Sequence, residues 1–205
     1  RHYELPHLDT GLLYRAVGLA VADKVDGPMF EGAAIAAAPS GEHAGFLMEE
    51  SARPASSGDL DVLIGLAAAA RAELPERKGG DVAVRLDPQR NDPGARIATA
   101  LGDEATVLLV GTIDGTVVGY GLMTLGTVSD GSTQANVEEI FVDPGARSVG
   151  VGEVILEALL MEASGRGAVA IQSVALPGDR STKNFFEAHG MVARAIIVHR
   201  WLDRR

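Results

Sequence analysis

The sequence predicts an α/β fold of the α+β kind: a mixed, mostly antiparallel sheet flanked by helices, with a helical appendage at the N-terminal end. Three observations lead there. Strand-like runs from Thr106 to Val142 are separated by turn signals, the pattern of an antiparallel meander. A strand ending at Val142, a glycine-bearing loop, an apolar-periodic stretch from Val151 and a further apolar run from Ala168 follow in βαβ order, which calls for a parallel pair. Ahead of both, Leu60, Leu63, Ile64 and Ala67 recur at helical spacing.

Residues 1–26 read as a first unit, in which Asp9 or Thr10 caps a helix carrying Leu13, Val17, Ala20 and Val21 on one face. Residues 27–58 are rich in Ala, Gly, Pro and Ser and read as a linker, with a short helix at 33–38. The folded domain is therefore expected over 59–205. Asp59 opens its first helix and Pro75 ends it. The stretch from Arg77 to Gln89 is polar, with Val82–Leu86 as an isolated strand-like segment. Asp92-Pro93 starts a short helix carrying Ile97 and Leu101, which Gly102 stops. Strands Thr106–Ile113 and Thr116–Leu125 flank Asp114-Gly115, a type I′ hairpin signal. Gly119 and Gly121 point to a bulge or a close backbone approach. After a turn at Ser129–Ser132, the central strand runs over Gln134–Val142. A helix from Gly152 to about Ala163, a buried strand Ala168–Leu176, a helix Ser181–His189 and a final strand Met191–Leu202 complete the order.

Composition narrows the function. The hydrophobic fraction of 46% over 205 residues is enough for a full core. A formal net charge of -10 repels phosphate backbones, and 4% aromatics leave little stacking surface, so nucleic acid is not an expected partner. No apolar run of ~18 residues suggests a membrane span. The start, Arg1-His2-Tyr3-Glu4, does not read as a signal peptide. A chain without Cys has no disulfide, thiolate metal site or Cys nucleophile, which fits a cytoplasmic location. Its five His (His2, His7, His43, His189 and His199) show no ligand spacing, so no metal is expected.

The informative stretch is Val137 to Gly152, V-E-E-I-F-V-D-P-G-A-R-S-V-G-V-G. A strand is stopped by Asp143-Pro144-Gly145, and two glycines then sit where a loop becomes a helix. A helix start carries free N–H groups and partial positive charge, which suits a phosphate. Gly150 and Gly152 let a bulky anion approach, and Arg147 adds a charge. This run resembles the acyl-CoA-binding motif of the GCN5-related N-acetyltransferase (GNAT) family, [QR]-x-x-G-x-[GA] after a strand ending in V-x-P. The resemblance extends over roughly the last two thirds of the chain. It implies that acetyl-CoA is the co-substrate, with its pyrophosphate on Arg147, Ser148, Val149, Gly150, Val151 and Gly152. It also implies that pantetheine pairs with the backbone of Ile140, Phe141 and Val142, between two splayed strands.

Acetyl transfer to an amine needs a base, an oxyanion donor and a proton for the leaving thiolate. With no Cys, direct attack in a ternary complex is the open route. The resemblance places the base at Glu138 or Glu139. Adjacent strand residues face opposite sides, so only one is expected in the cleft, with Glu138 favoured. In the helix Asp179 to Met191, D-R-S-T-K-N-F-F-E-A-H-G-M, Phe186 stands where the family carries the Tyr that protonates the thiolate, and Asp179 stands where Asn is usual. Water, Ser181 or Tyr120 are the remaining proton sources, and Asn184 is a candidate CoA contact. The expected acceptor is a small amine or a Lys side chain, the acidic charge favouring a cation. A homodimer is left open. A non-catalytic acyl-CoA-binding module is the alternative reading, favoured by Phe186.

A second resemblance is shorter. Leu8-Asp9-Thr10-Gly11-Leu12-Leu13-Tyr14-Arg15-Ala16-Val17 is similar to the monophosphate-binding segment of cytidylate kinases, which implies nucleotide contacts at Asp9 and Arg15. The chain has no G-x-x-x-x-G-K-[ST] loop, so the segment reads as a remnant without kinase chemistry.

Overall fold

The computed structural model describes residues 48–86 and 92–202. Its centre is a five-stranded sheet in which β1 (Glu50–Pro54), β2 (Thr106–Ile113), β3 (Thr116–Thr127), β4 (Thr133–Val142) and β5 (Ala168–Ser173) lie side by side in chain order. The first four pair antiparallel, and β4 pairs parallel with β5. The β2–β3 turn forms because Asp114 and Gly115 both take positive φ, 48° and 79°, as a primed two-residue turn requires. Around the sheet lie α1 (Leu60–Glu73), α2 (Gly80–Leu86), α3 (Pro93–Gly102), α4 (Val151–Gly165) and α5 (Arg180–Ala188).

Two apolar layers hold the sheet. On one face Leu63 and Leu66 of α1 and Ile97 of α3 pack with Tyr120, Leu122 and Phe141. On the other, Val151, Ile155 and Leu159 of α4 pack with Val107, Met123 and Val137. This second contact is close. A Cβ added to Gly111 or to Gly121 would lie 2.5 Å from a methyl carbon of Ile155. Gly121 thus marks the close backbone approach expected there, and bare backbone lets α4 sit directly on β2 and β3.

Most helix and strand boundaries fall within a few residues of their expected places, and three segments differ. Glu50–Pro54, read as linker, is β1 and pairs with β2 from Glu50↔Ile113 to Pro54↔Leu109. The sheet therefore begins before residue 59. The strand is tied down from the helix side: Arg53 donates to both oxygens of Asp59 at 2.8 and 2.7 Å, and Asp59 also accepts from the Ser56 N–H and hydroxyl. Val82–Leu86, read as strand-like, belongs to α2, where Asp81 in the first turn and Arg85 in the last complement the helix dipole. Met191–Leu202 forms no strand. It follows α5 with Ile196, Val198 and Leu202 almost wholly exposed. Residues 1–47, and with them the helix expected at 33–38, Asp9 and Arg15, lie outside the described residues.

Candidate active site

The parallel pair opens into a fork. Pairing runs from Thr133↔Ala168 to Val137↔Ser173, and there Ser173 donates its hydroxyl to the Val137 carbonyl at 2.9 Å. β5 then ends, while β4 continues to Val142 with only β3 beside it. From Glu138 to Val142 one edge of β4 therefore faces the gap with its main-chain groups. The parallel partner thus stops where the two strands were expected to splay, and its last paired residue, Ser173, carries no sequence signal.

At the end of β4 the chain turns sharply into α4. Asp143 accepts from the Gly145 N–H at 2.9 Å and caps the short turn Pro144–Ala146. Ser148 and Gly150 then take positive φ, 64° and 101°. A side chain at such angles is strained, so Gly150 fits and Ser148 marks a constrained loop. Gly150 is the N-cap of α4 and supplies no side-chain cap. The first N–H groups of the helix are left to water or to an anionic ligand. Among the described residues no group of three or more His, Asp or Glu is placed to hold a metal.

Arg147 is turned away from this helix start. Its Nε donates to the Val142 carbonyl at 2.9 Å, its Nη2 pairs with Glu73 of α1 at 2.7 Å, and its guanidinium lies 5.3 Å from the centre of the Phe141 ring. Glu73 also receives Arg77, whose other nitrogen reaches Asp179 at 2.9 Å. Asp179 caps α5. Partial burial pushes its carboxyl up, but the Thr182 N–H, the Ser181 and Thr182 hydroxyls and the Arg77 charge outweigh that and hold it at about 2. A chain of charges thus links α5, α1 and the loop before α4.

β4 bulges where the two acidic residues stand. Leu122 pairs with Glu139 and Met123 with Val137, leaving Glu138 as the extra residue. A bulge breaks the two-residue alternation. Both carboxylates consequently reach the same guanidinium: Arg96 of α3 lies 3.6 Å from Glu139 and 4.0 Å from Glu138. This corrects the expectation that the two would face opposite sides of the sheet. Tyr120 donates to Glu139 at 2.8 Å and Thr124 to Glu138 at 2.9 Å. Ala67, Arg71, Pro93, Arg96 and Ile97 line a small cleft with Glu139. A roomier hollow lined by Leu101, Asp103, Thr106 and Arg166 includes none of the expected site residues.

A model of the acetyltransferase (GNAT) family matches residues 68–191, more than half of the chain. The chain belongs to the GNAT family. Solved structures carry the same fold. An aminoglycoside N-acetyltransferase, AAC(6')-Iy, in complex with CoA is 19% identical, with TM-score 0.57 over 76% of this chain and 97% of that one. Ribosomal-protein-alanine N-acetyltransferase from Brucella melitensis biovar Abortus 2308 is 17% identical, with TM-score 0.55 over 75% and 100%. A transcriptional regulator from Bacillus halodurans C-125 is 21% identical, with TM-score 0.57 over 74% and 99%. One curated relative, a cytidylate kinase from Methylobacterium sp. (strain 4-46), is 45% identical over 74 residues. That match spans 36% of this chain and 35% of the kinase, a partial likeness only.

In this GNAT domain Ile140, Phe141 and Val142 end β4, and Ser148, Val149, Gly150, Val151 and Gly152 form the loop and first turn of α4 that follow. On the α5 side Phe185, rather than Phe186, approaches it: a Cβ on Gly152 would lie 3.6 Å from the Phe185 ring. Phe186 packs edge-on against Phe185 at 5.4 Å, and Asn184 is exposed. The alternative proton donors are engaged elsewhere, Ser181 on Asp179 at 2.7 Å and Tyr120 on Glu139. Phe185 matches the family's pattern in this helix but was given no role, and Arg96 went unmarked, because an arginine on an ordinary helix carries no motif. No helix is long and apolar enough to cross a membrane among the described residues.

Proposed function

We propose that the protein moves an acetyl group from acetyl-CoA to a primary amine, either a small amine or a Lys side chain, by direct attack in a ternary complex. The observation that carries this reading is the fork, which opens beside a helix start with glycine at its N-cap, within a GNAT domain. The chain's own residues divide the work. Main-chain groups of Ile140 to Val142 would pair with the pantetheine arm, and N–H groups of the loop and first turn of α4 would take the pyrophosphate. Arg147 would leave Glu73 to join them. Glu138 or Glu139, both beside Arg96, would accept the proton of the attacking amine, directly or through water. Water would supply the proton to the departing thiolate, since Phe185, the α5 ring nearest the fork, has no hydroxyl and Ser181 and Tyr120 are engaged on Asp179 and Glu139.

The test is release of free CoA together with formation of acetylated product across polyamines, amino acids, aminoglycosides and peptide amines. Product with at least one class supports the reading, and CoA binding without product from any of them opposes it. Phe186 favours a second reading, a non-catalytic acyl-CoA-binding module, and the same panel separates the two.

A further inference from the structure

The cleft beside Glu139 carries more positive charge than acetyl transfer to a plain amine requires. We propose that its acceptor is an α-amino acid, with the ammonium beside Glu139 and the carboxylate held by Arg96 and Arg71. This rests on the acetyl-transfer reading and names the acceptor class for that same site.

The cationic half comes from two helices. Arg71 follows Ala67 by one turn of α1, and Arg96 stands beside Ile97 in the first turn of α3; all four line the cleft with Pro93 and Glu139. Residues four apart share a helix face, so Ala67 and Arg71 look the same way. Ala67 and Ile97 are buried in the layer that holds Tyr120 and Phe141, which fixes both helices against the sheet. The Arg96 side chain is only 13% exposed. Its ion pairs, 3.6 Å to Glu139 and 4.0 Å to Glu138, are longer than hydrogen bonds. The guanidinium therefore keeps N–H donors to offer, in the planar fork that a carboxylate fits.

The anionic half is Glu139. Tyr120, wholly buried, donates to it at 2.8 Å and fixes its direction. A plain amine would bring its positive charge among two guanidinium groups, which repel it. In an α-amino acid the carboxylate shares a carbon with the ammonium, and it offsets that repulsion. The net charge of -10 belongs to the whole chain, whereas this cleft sets two guanidinium groups beside Glu139, with Glu138 also on Arg96. The remaining lining, Ala67, Pro93 and Ile97, is apolar and gives the hydrocarbon body of the acceptor a surface to pack on. A Lys side chain or a peptide N-terminus brings its amine without an adjoining carboxylate and leaves the guanidinium donors to water.

The bound ammonium loses one proton to Glu139 and on to water. Its nitrogen then bonds to the acetyl carbon as the C–S bond breaks. The nitrogen releases a second proton as the amide forms, and water protonates the thiolate. The products are the N-acetyl amino acid, free CoA and one proton.

The test supplies acetyl-CoA with each of the common L-amino acids, in parallel with its α-carboxamide. At least one acid should exceed its carboxamide by about 10- to 150-fold in kcat/KM, the value of a charge-assisted hydrogen bond. In Arg71→Gln and in Arg96→Gln that ratio should collapse, and Arg96→Lys should restore part of it. A fold defect lowers both rates together and leaves the ratio alone, so the ratio reports the carboxylate contact itself. Carboxamides acetylated as well as the acids, or a ratio unchanged in both Gln variants, would overturn the proposal and leave acetyl transfer standing. If no amine of any class is acetylated, the acetyl-transfer reading fails, and calorimetric titration of the same acids and carboxamides into the CoA-bound protein decides the site. An acid that binds more tightly than its carboxamide supports the carboxylate contact, and equal or absent binding overturns it.

Discussion

Replacing Glu73 by Gln should tighten CoA binding, which is the less intuitive direction for losing an ion pair. Glu73 holds Arg147 at 2.7 Å, away from the start of α4. The side chains of both remain more than a quarter exposed, at 28% and 39%. An ion pair in such a setting is worth about 0.2–1 kcal/mol. If Arg147 must give it up to meet the pyrophosphate, removing the competitor returns that energy to binding. The dissociation constant should fall about 1.4- to 5-fold, because 1.4 kcal/mol is tenfold. The opposite change, Arg147→Ala, removes a charge-assisted hydrogen bond worth about 1.5–3 kcal/mol, and affinity should fall roughly 10- to 150-fold. Titration calorimetry with CoA measures both, and added salt should shrink the Glu73→Gln gain. A Glu73→Gln protein that binds CoA more weakly than the native chain would refute the reasoning, because Arg147 would then serve the site from its present position.

Three further outcomes follow from the same geometry. Gly111→Ala forces a methyl to within 2.5 Å of Ile155, which is wholly buried, so chemical denaturation should show a loss of about 1–3 kcal/mol. Asp179 is held at about 2, and Asp59 is held well below the usual carboxylate range by the Arg53 fork against the cost of burial. The folded state therefore binds fewer protons. This stabilisation is complete above the unfolded carboxylate pKa of about 3.9 and is lost as pH falls towards 2. An Asp59→Asn, Asp179→Asn variant should show a shallower fall in melting temperature over that window, and an equally steep fall would contradict the assignment. Phe185, not Phe186, is the α5 ring nearest the fork, so Phe186→Tyr should leave kcat essentially unchanged; a rise of about tenfold, approaching the range of a placed general acid, would put Phe186 at the vacant acid position instead.

The parts of the fold that sequence made legible are those specified by local chemistry. Asp114-Gly115 demands its turn, Asp92 caps α3 through the Ala95 N–H at 2.9 Å, and Gly121 lies under Ile155. The strand, turn and glycines around Gly150 carried the family because each occurs at a fixed offset from the next. What escaped was decided by distant partners. Glu50–Pro54 has no strand composition and becomes β1 because β2 offers an edge and Asp59 anchors Arg53. Val82–Leu86 has β-branched residues, yet a seven-residue helix forms there. The bulge at Glu138 is set by the pairing with β3, so the shared reach of Glu138 and Glu139 towards Arg96 cannot be read from two adjacent acids. The direction of Arg147 depends on Glu73, 74 positions earlier.

The central claim is that the fork beside α4 is an acyl-CoA seat, and thermal unfolding with and without acetyl-CoA tests it most directly. Acetyl-CoA at 100 times its dissociation constant should stabilise the native chain by about 2.7 kcal/mol. Gly150→Asp places a carboxylate at the helix start, and Gly150→Asn imposes a closely matched backbone strain without the charge. The account predicts that the Asp variant loses the shift and the Asn variant keeps most of it. An Asp variant stabilised as fully as the native chain would mean that the phosphates are held elsewhere.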